Sequence, residues 1–248
     1  MSRNSYHNHT LFCDGTNTPE EMVLYAITEG CDEIGFTGHS YTDIPDPHPF
    51  CMSRENTERY KAEIKRLKEK YKGKIRIYLA VEQDYYSNEN TDGYEYVIGA
   101  VHYVLKDGFY IPLDYSAKEQ IDAVKKYYDN DFYALVEDYY KLVGDLYNKT
   151  RCDIVAHFDI ITKFNEGNCL FDTGNPRYIA AADNALDKLL KEDVTFEINY
   201  GAVARGYRTS PYPDSRIQKR IIDSGKPVIY SSDCHKKENL LFGIPEDK

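Results

Sequence analysis

The sequence lacks several features that would direct it to particular protein classes. Its six cysteines include no Cys-x-x-Cys pair, so neither a disulfide framework nor a thiolate zinc motif is indicated. No apolar run approaches the length of a membrane span, and the first residues have no apolar signal core. Basic residues number 31 against 41 acidic ones, a balance that argues against nucleic-acid binding. We therefore expect a cytoplasmic protein with reduced thiols and without a membrane or nucleic-acid partner.

What the chain does contain is a repeated order of strand, loop and helix. A hydrophobic fraction of 42% over 248 residues is enough for a packed core. Short apolar segments alternate with helical patterns about seven times, without a linker or internal repeat. This order is typical of parallel strands with helices outside, and strands buried on both faces favour closure into a barrel. An open doubly wound sheet is the alternative.

Histidines mark the ends of the predicted strands. His7 and His9 are two residues apart, which places both imidazoles on one side of an extended strand. Glu82 and Asp233 also follow predicted strands. Because the C-terminal ends of barrel strands open onto one rim, these distant residues are expected to meet. Any single histidine is more often structural, but six of the seven, all except His48, share this position: His7, His9, His39, His102, His157 and His235.

Imidazoles and carboxylates without thiolates favour Zn²⁺, Mn²⁺ or Fe²⁺. The ligands are too many for one ion, so we predict a cluster of two or three divalent cations with Glu82 as a bridging ligand. Clustered metals about 3.5–4 Å apart serve displacement at phosphorus, where they stabilise the attacking and leaving oxygens.

Taken together, the motifs around these residues resemble the PHP (polymerase and histidinol phosphatase) superfamily, in the family's order and over almost the whole chain. Within this superfamily the chain is most similar to the histidinol-phosphatase branch. The signs are its overall length and the segment Glu197-Ile198-Asn199, which is followed by Arg205-Gly206 and Pro211-Tyr212-Pro213. The matching motifs are His7-x-His9 with Asp14, Phe36-Thr37-Gly38-His39, Val81-Glu82, Ala100-Val101-His102, Ala156-His157-Phe158-Asp159 and Ser232-Asp233-Cys234-His235.

The resemblance implies an α/β fold, a distorted (β/α)7 TIM-like barrel that forms one PHP-type domain over residues 1–248, with a trinuclear metal site at the C-terminal ends of the strands. It implies a hydroxide that bridges metals and attacks a phosphate monoester, with Glu82, Asp233 and His235 as catalytic residues and Asp159 orienting a ligand imidazole. The implied ligand sets are His7, His9, Glu82 and Asp233 for one metal, Glu82, His102 and His157 for a second, and Asp14, His39 and His235 for a third.

A phosphate dianion also needs cationic donors outside the metals. Arg205 is the first candidate, because a guanidinium grips phosphate with two hydrogen bonds, and Arg208 competes with it. Lys163 stands where related phosphatases often place arginine. His48 and Tyr200 are further candidates for the substrate mouth, and for each of these residues a solvated or packing role is the plain alternative.

Two residues depart from the pattern or add to it. The family commonly has an acidic residue before the histidine of its second motif, and here Gly38 stands in that place. Cys234 lies between two implied ligands, where a buried small residue is a better interpretation than a nucleophile. Only 13 residues follow His235, so a full closing helix is not expected.

The predicted function is metal-dependent hydrolysis of a phosphate monoester, foremost L-histidinol phosphate in histidine biosynthesis, with inorganic phosphate as the second product. A PHP-type phosphoesterase acting on phosphotyrosyl protein or nucleic-acid ends is one alternative. A non-catalytic metal-binding module on the same scaffold is another.

Overall fold

The helices begin where the sequence supplies a capping side chain. In the computed structural model, which describes residues 3–45 and 50–246, Thr18 and Glu21 cap the first helix reciprocally, each side chain accepting a hydrogen bond from the other's backbone N–H. Ser53, Ser116 and Asp131 cap later helices in the simpler way. The helices are α1 Pro19–Thr28, α2 Arg54–Lys70, α3 Ala117–Tyr127, α4 Phe132–Val143, α5 Leu146–Thr150, α6 Pro176–Leu189, α7 Gly201–Ala204 and α8 Ser215–Asp223.

The strands are short, and most are buried on both faces. They are β1 Glu33–Phe36, β2 Arg76–Leu79, β3 Val81–Asp84, β4 Val97–Ala100, β5 Tyr103–Lys106, β6 Phe109–Pro112, β7 Ile154–Val155, β8 Thr195–Asn199 and β9 Val228–Ser231. β3, β4, β7, β8 and β9 form one parallel sheet in that order, and β1 pairs in parallel with β2. β5 and β6 form an antiparallel hairpin outside this arrangement.

The N-terminal segment closes these strands into a ring. Ser5 bridges Ile34 of β1, and Asn8 bridges Cys234 just past β9, both in parallel. A further parallel bridge between His39 and Glu82 carries the pairing of β1 and β2 on into β3. Over the described residues the ring therefore runs from the N-terminal segment through β1, β2 with β3, β4, β7, β8 and β9, and back. This is the predicted distorted seven-stranded barrel, and the open sheet is excluded.

Alternate side chains along the strands face either the barrel interior or the surrounding helices. Ile98 and Ala100 of β4 face the barrel interior with Ile154 and Ala156, whereas Val97 joins the layer under the helices. That outer core also contains Tyr139 and Tyr178 from α4 and α6, and a second core packs α1 and α2 against β1 and β2. No helix within residues 3–45 and 50–246 is long and apolar enough to cross a membrane.

Most predicted elements are confirmed, and the differences are local. The strand expected to end at Glu82 continues through Asp84, because Glu82 itself pairs with Ile98 of β4. The helix predicted over 131–147 ends at Val143, and α5 follows. Between His235 and residue 246, the described part of the chain forms a short 3₁₀ helix, Lys237–Asn239.

Candidate metal centre and cleft

The barrel brings the six predicted histidines and their carboxylates together at the C-terminal ends of the strands. His7 and His9 lie on the closing N-terminal segment, and the other four follow β1, β4, β7 and β9. Of these six histidines, all except His235 are almost fully buried. The central expectation from the sequence, that residues from position 7 to 235 meet, is confirmed by their distances below.

Glu82 occupies the middle of this group. Its Oε2 lies 2.9 Å from Nδ1 of His39, 3.3 Å from Nε2 of His7 and 3.5 Å from Nε2 of His9. Its Oε1 lies 3.0 Å from Nε2 of His157 and 3.5 Å from Nε2 of His102. One carboxylate thus faces imidazoles on both sides, as a bridging ligand must.

Among the described residues, three overlapping sets of side chains have ligand atoms within 4.8 Å of one another and could each hold a metal ion. These sets divide the residues differently from the implied ligand sets, since His9 joins the set around Asp14, and His39 joins Glu82 and His102. The sets are His9, Asp14, His39 and His235; His7, His9 and Asp233; and His39, Glu82 and His102.

Unpaired polar atoms indicate that the centre suits cations. Nε2 of His7, Nε2 of His9 and Oε2 of Glu82 are buried and have no hydrogen-bond partner among the described residues. A buried polar atom without a partner costs about 1–3 kcal/mol, and here three such atoms face one another. A divalent ion between them would satisfy all three, so the donor set fits a metal centre.

Two further carboxylates, those of Glu197 and Asp84, fix the orientation of the His7 and His102 imidazoles. Glu197 on β8 accepts a hydrogen bond from Nδ1 of His7 at 2.6 Å, so Nε2 is the nitrogen of His7 that faces the centre. Asp84 lies 3.2 Å from Nδ1 of His102. The prediction that Asp159 does this is wrong, because its Oδ2 accepts the backbone N–H of Asp214 and no imidazole of the described residues contacts it.

Glu197 and Asp84 carried a signal that the sequence reasoning did not use. Each stands on a barrel strand at an inward position: Asp84 is two residues after Glu82, and Glu197 is two residues before Asn199 at the end of β8. Inward carboxylates on such strands are costly unless they are paired, so both were candidates for partners of the histidines.

The charges of the centre also suit metal ligation. Burial and the neighbouring His235 and His39 lower the pKa of His9 to about 3, so its ring is neutral. Burial raises the pKa of Glu82, but His39, His7 and His102 outweigh it and hold that pKa well below its usual value. Burial acts to lower the pKa of His7, while the carboxylates of Glu197, Glu82 and Asp233 raise it well above its usual value. The centre therefore holds ionised carboxylates.

Asp233 reaches the centre through an unusual backbone conformation. Its φ is 46°, in the left-handed region that residues other than glycine seldom occupy. Gly201 at the start of α7 makes the approach possible, because a Cβ at that position would lie 2.8 Å from both Cβ and Oδ2 of Asp233. Oδ1 of Asp233 lies 3.1 Å from Nε2 of His9, so this strained loop places a carboxylate next to the unpaired imidazole nitrogen.

A cleft of about 710 Å³ opens above the centre. Its walls combine ligand-type residues with two cations, three aromatic side chains and one further carboxylate. Nζ of Lys163 donates to the backbone oxygen of Asp114 at 2.6 Å, and Nη2 of Arg205 lies 3.2 Å from Oδ2 of Asp233. The cleft is lined by Asp14, His39, Phe50, Glu82, His102, Asp114, Tyr115, His157, Ile160, Lys163, Arg205, Tyr207, Asp233 and His235.

Two of the predicted substrate residues lie elsewhere. Arg208 donates to Oγ1 of Thr162 and stacks over Tyr212 at 4.7 Å, so its guanidinium is used in packing and does not line the cleft. Tyr200 packs against Phe242 with ring centroids 6.5 Å apart, also away from the cleft lining. His48 lies outside the described residues, and its role stays a prediction.

The two sequence departures have physical explanations. A Cβ on Gly38 would lie 3.2 Å from the end of the Met52 side chain, so an acidic residue there would require Met52 to shift. Burial raises the pKa of Cys234 to about 12, and its thiol donates to the backbone oxygen of Lys236 at 3.0 Å. Cys234 is therefore a buried neutral thiol rather than an activated nucleophile.

Comparison with known sequences shows which proteins this chain resembles. The family model described as "PHP domain" matches residues 5–201. The "Probable histidinol-phosphatase" of Deinococcus radiodurans is 28% identical over 252 residues, which cover 95% of this chain and 87% of that protein. The "Histidinol-phosphatase" of Bacillus subtilis is 26% identical over 270 residues, covering 98% of this chain and 97% of that one.

Solved structures share the fold at lower sequence identity. The hisK protein of Listeria monocytogenes superposes with a TM-score of 0.78 at 19% identity and covers 97% of this chain and 98% of its own. Histidinol phosphate phosphatase from Lactococcus lactis subsp. lactis, solved in complex with Zn, L-histidinol and phosphate, gives 0.65 at 18% identity, with 95% and 87% covered. These similarities establish the fold.

Proposed function

The chain belongs to the PHP domain family, and from this premise we propose that it is a metal-dependent phosphomonoesterase that hydrolyses L-histidinol phosphate to L-histidinol and phosphate, a step of histidine biosynthesis. One observation carries the proposal: unpaired imidazole and carboxylate atoms converge at the floor of a cleft whose wall holds Lys163 and Arg205. Full-length similarity to proteins named histidinol-phosphatase supports the choice of substrate.

The proposed cofactor is a cluster of two or three divalent ions, drawn from zinc, manganese and iron. One ion would be held by His7, His9 and Asp233 with Oε2 of Glu82, where the unpaired atoms meet. Glu82 would be shared with a second ion beside His102 and His157, since Oε1 faces both rings. A third would use Asp14, His39 and His235, of which Asp14 and His235 lie 3.1 Å apart.

Two cations of the chain would bind the phosphate. Arg205 presents Nη1 and Nη2 beside Asp233, and Nη1 also lies 2.8 Å from Nδ1 of His235. Lys163 also lines the cleft, where the backbone oxygen of Asp114 anchors it. Together they would offset the dianion charge and turn the ester toward the floor of the cleft.

When bound, the ions supply a nucleophile at neutral pH and stabilise the charge that develops on phosphorus. The chain's own residues prepare that chemistry. Glu197 and Asp84 hold the Nδ1 protons of His7 and His102, so Nε2 of each ring faces the centre. Oδ1 of Asp233 stands between Nε2 of His9 and Nδ1 of His235, at 3.1 and 3.5 Å, where its ionised carboxylate would accept a hydrogen bond from the attacking water and orient it.

A substrate comparison tests the proposal. Steady-state kcat/KM is measured for L-histidinol phosphate, a phosphotyrosine peptide, single-stranded DNA ends and p-nitrophenyl phosphate. We expect L-histidinol phosphate to exceed the aryl phosphate by about 100-fold or more, because a built subsite binds the leaving group as well as the phosphate. Equal rates on both would refute the specific assignment, and preference for the peptide or DNA would favour the alternative phosphoesterases.

The same proposal covers the organisation of the protein. We propose that residues 1–248 act as one domain, since Tyr94 packs against both apolar cores. We also propose that the protein acts in the cytoplasm on a small phosphate monoester, without a nucleic-acid or membrane partner. A non-catalytic metal-binding module is disfavoured because the cleft holds cations placed for a phosphate in addition to the ligands.

A further inference from the structure

The cleft contains one carboxylate that the proposed chemistry does not use. Among the described residues lining the cleft, Asp114 is the acidic side chain outside the three candidate metal sets. It follows the β5–β6 hairpin and precedes α3, and its side chain is 26% exposed. A partly buried carboxylate beside a phosphate site is unfavourable for an anionic substrate, so its presence requires an explanation.

The ion pair with Lys163 explains only part of its presence. Nζ of Lys163 is hydrogen-bonded at 2.6 Å to the backbone oxygen of Asp114, whereas the carboxylate Oδ2 is 3.6 Å away. A side chain without a charge at this position would keep the backbone oxygen and therefore the anchor of Lys163. At 3.6 Å the ion pair with Nζ of Lys163 is longer than a hydrogen bond, so the Asp114 carboxylate keeps capacity to accept hydrogen bonds from a ligand in the cleft.

The position of the Asp114 carboxylate next to Lys163, a proposed phosphate-binding residue, indicates which substrate group it contacts. Lys163 would contact a phosphate oxygen, and the Asp114 carboxylate lies next to Lys163. In L-histidinol phosphate the ammonium is carried two carbons from the ester oxygen, whereas the imidazole lies beyond a further methylene. A carboxylate this close to the phosphate cation is therefore suited to the ammonium.

We propose that Asp114 is a specificity-determining residue that binds the ammonium of an aminoalkyl phosphate, so that the substrate class of this cleft is phosphate esters of amino alcohols. This inference rests on the proposed phosphomonoesterase function and narrows it. Asp114 sets the preference through the leaving alcohol, and Arg205 and Lys163 bind the phosphate common to all substrates.

The test compares three esters in the metal-loaded enzyme and in Asp114→Asn. The esters are L-histidinol phosphate, its deaminated analogue 3-(imidazol-4-yl)propyl phosphate, and 2-aminoethyl phosphate, which has the ammonium but no imidazole. We expect Asp114→Asn to lower kcat/KM about 10- to 100-fold for the two amines and by less than about threefold for the deaminated ester, the loss of one charged hydrogen bond. Asp122→Asn, an exposed change on α3, is the matched control and is expected to leave all three values unchanged.

Other outcomes overturn the inference. An equal loss on all three esters would show that Asp114 acts through Lys163 or the metals, and no loss on any would show that it contacts no substrate group. A loss only on the two imidazole esters would assign it to the ring instead. Asp114→Ser provides the same comparison if the asparagine variant does not fold. If wild-type enzyme does not prefer L-histidinol phosphate to p-nitrophenyl phosphate, the proposed function fails, while the 2-aminoethyl and deaminated esters still test Asp114.

Discussion

Replacing Glu197 by glutamine tests how the centre is prepared for metals. The Glu197 carboxylate accepts four hydrogen bonds: its Oε1 from His7 and Ser231, both at 2.6 Å, and its Oε2 from the backbone of His157 at 2.9 Å and from Asn199 at 2.8 Å. All its acceptor sites are thus in use within the buried interior. Glutamine keeps the shape but replaces one oxygen by a donor.

The consequence follows from the tautomer of His7. A glutamine NH₂ facing Nδ1 would need an acceptor there, which moves the ring proton to Nε2 and removes the lone pair that faces Glu82 and Asp233. If the NH₂ turns to the other side, it faces the N–H of His157 and the amide of Asn199 instead. Loss of such a carboxylate partner typically weakens metal binding about 10- to 100-fold, or about 1.4–2.7 kcal/mol.

The assay is a chelator competition that gives the metal Kd, run beside thermal unfolding with and without added metal. We expect Glu197→Gln to bind its weakest-held ion about 10- to 100-fold less tightly and to gain less thermal stability from metal than the wild type. Glu58→Gln, whose side chain is 79% exposed, is the control and is expected to match the wild type. Wild-type metal affinity in Glu197→Gln would refute the role of Glu197 in orienting His7.

Three further predictions test the phosphate site, the buried carboxyl of Asp159 and the contact between Gly201 and Asp233. Arg205→Ala is expected to weaken inhibition by inorganic phosphate and to lower kcat/KM about 10- to 100-fold. Arg208→Ala, which lies outside the cleft, is expected to leave phosphate inhibition unchanged. Equal effects of the two variants would contradict the assignment of Arg205 to the phosphate site. Burial raises the pKa of Asp159 to about 7, so the folded state binds the proton of this carboxyl more tightly than the unfolded state does. The free energy of unfolding therefore falls as the pH rises from about 4 to 7. Asp159→Asn is expected to flatten this fall in thermal melts, and an unchanged slope would contradict the prediction. Gly201→Ala is expected to displace Asp233 and reduce metal content in elemental analysis, and full retention of metal would show that the loop adapts.

The sequence predicted the positions of the ligands better than their grouping. His39, His102 and His157 follow apolar strand patterns, and parallel strands necessarily end at one rim, so convergence needed only the strand order. The assignment of each ring to an ion depends on side-chain directions that spacing does not define. His9 illustrates this, because it faces Asp233 on one side and Asp14 on the other.

Residues that act through loops were harder to predict. Arg205 and Arg208 stand in the same segment, and only the turn of α7 decides that the first reaches the cleft while the second packs on Tyr212. Asp114 carried no sequence signal, because its place in the cleft depends on the fold, which brings it next to Lys163, 49 residues away in the chain. Glu197 belongs to the Glu197-Ile198-Asn199 segment, but its hydrogen bond to His7, 190 residues away, depends on closure of the barrel.

The most direct test of the account is the metal content of the purified protein and of Glu82→Gln, measured by elemental analysis beside turnover of L-histidinol phosphate. Because Glu82 faces His7, His9 and His39 through one oxygen and His102 and His157 through the other, the variant is expected to lose at least one ion per chain and nearly all turnover. The wild type is expected to hold two or three zinc, manganese or iron ions per chain and to lose its activity to a chelator. A wild type without bound metal, or a Glu82→Gln protein with full metal content and full turnover, would contradict the account.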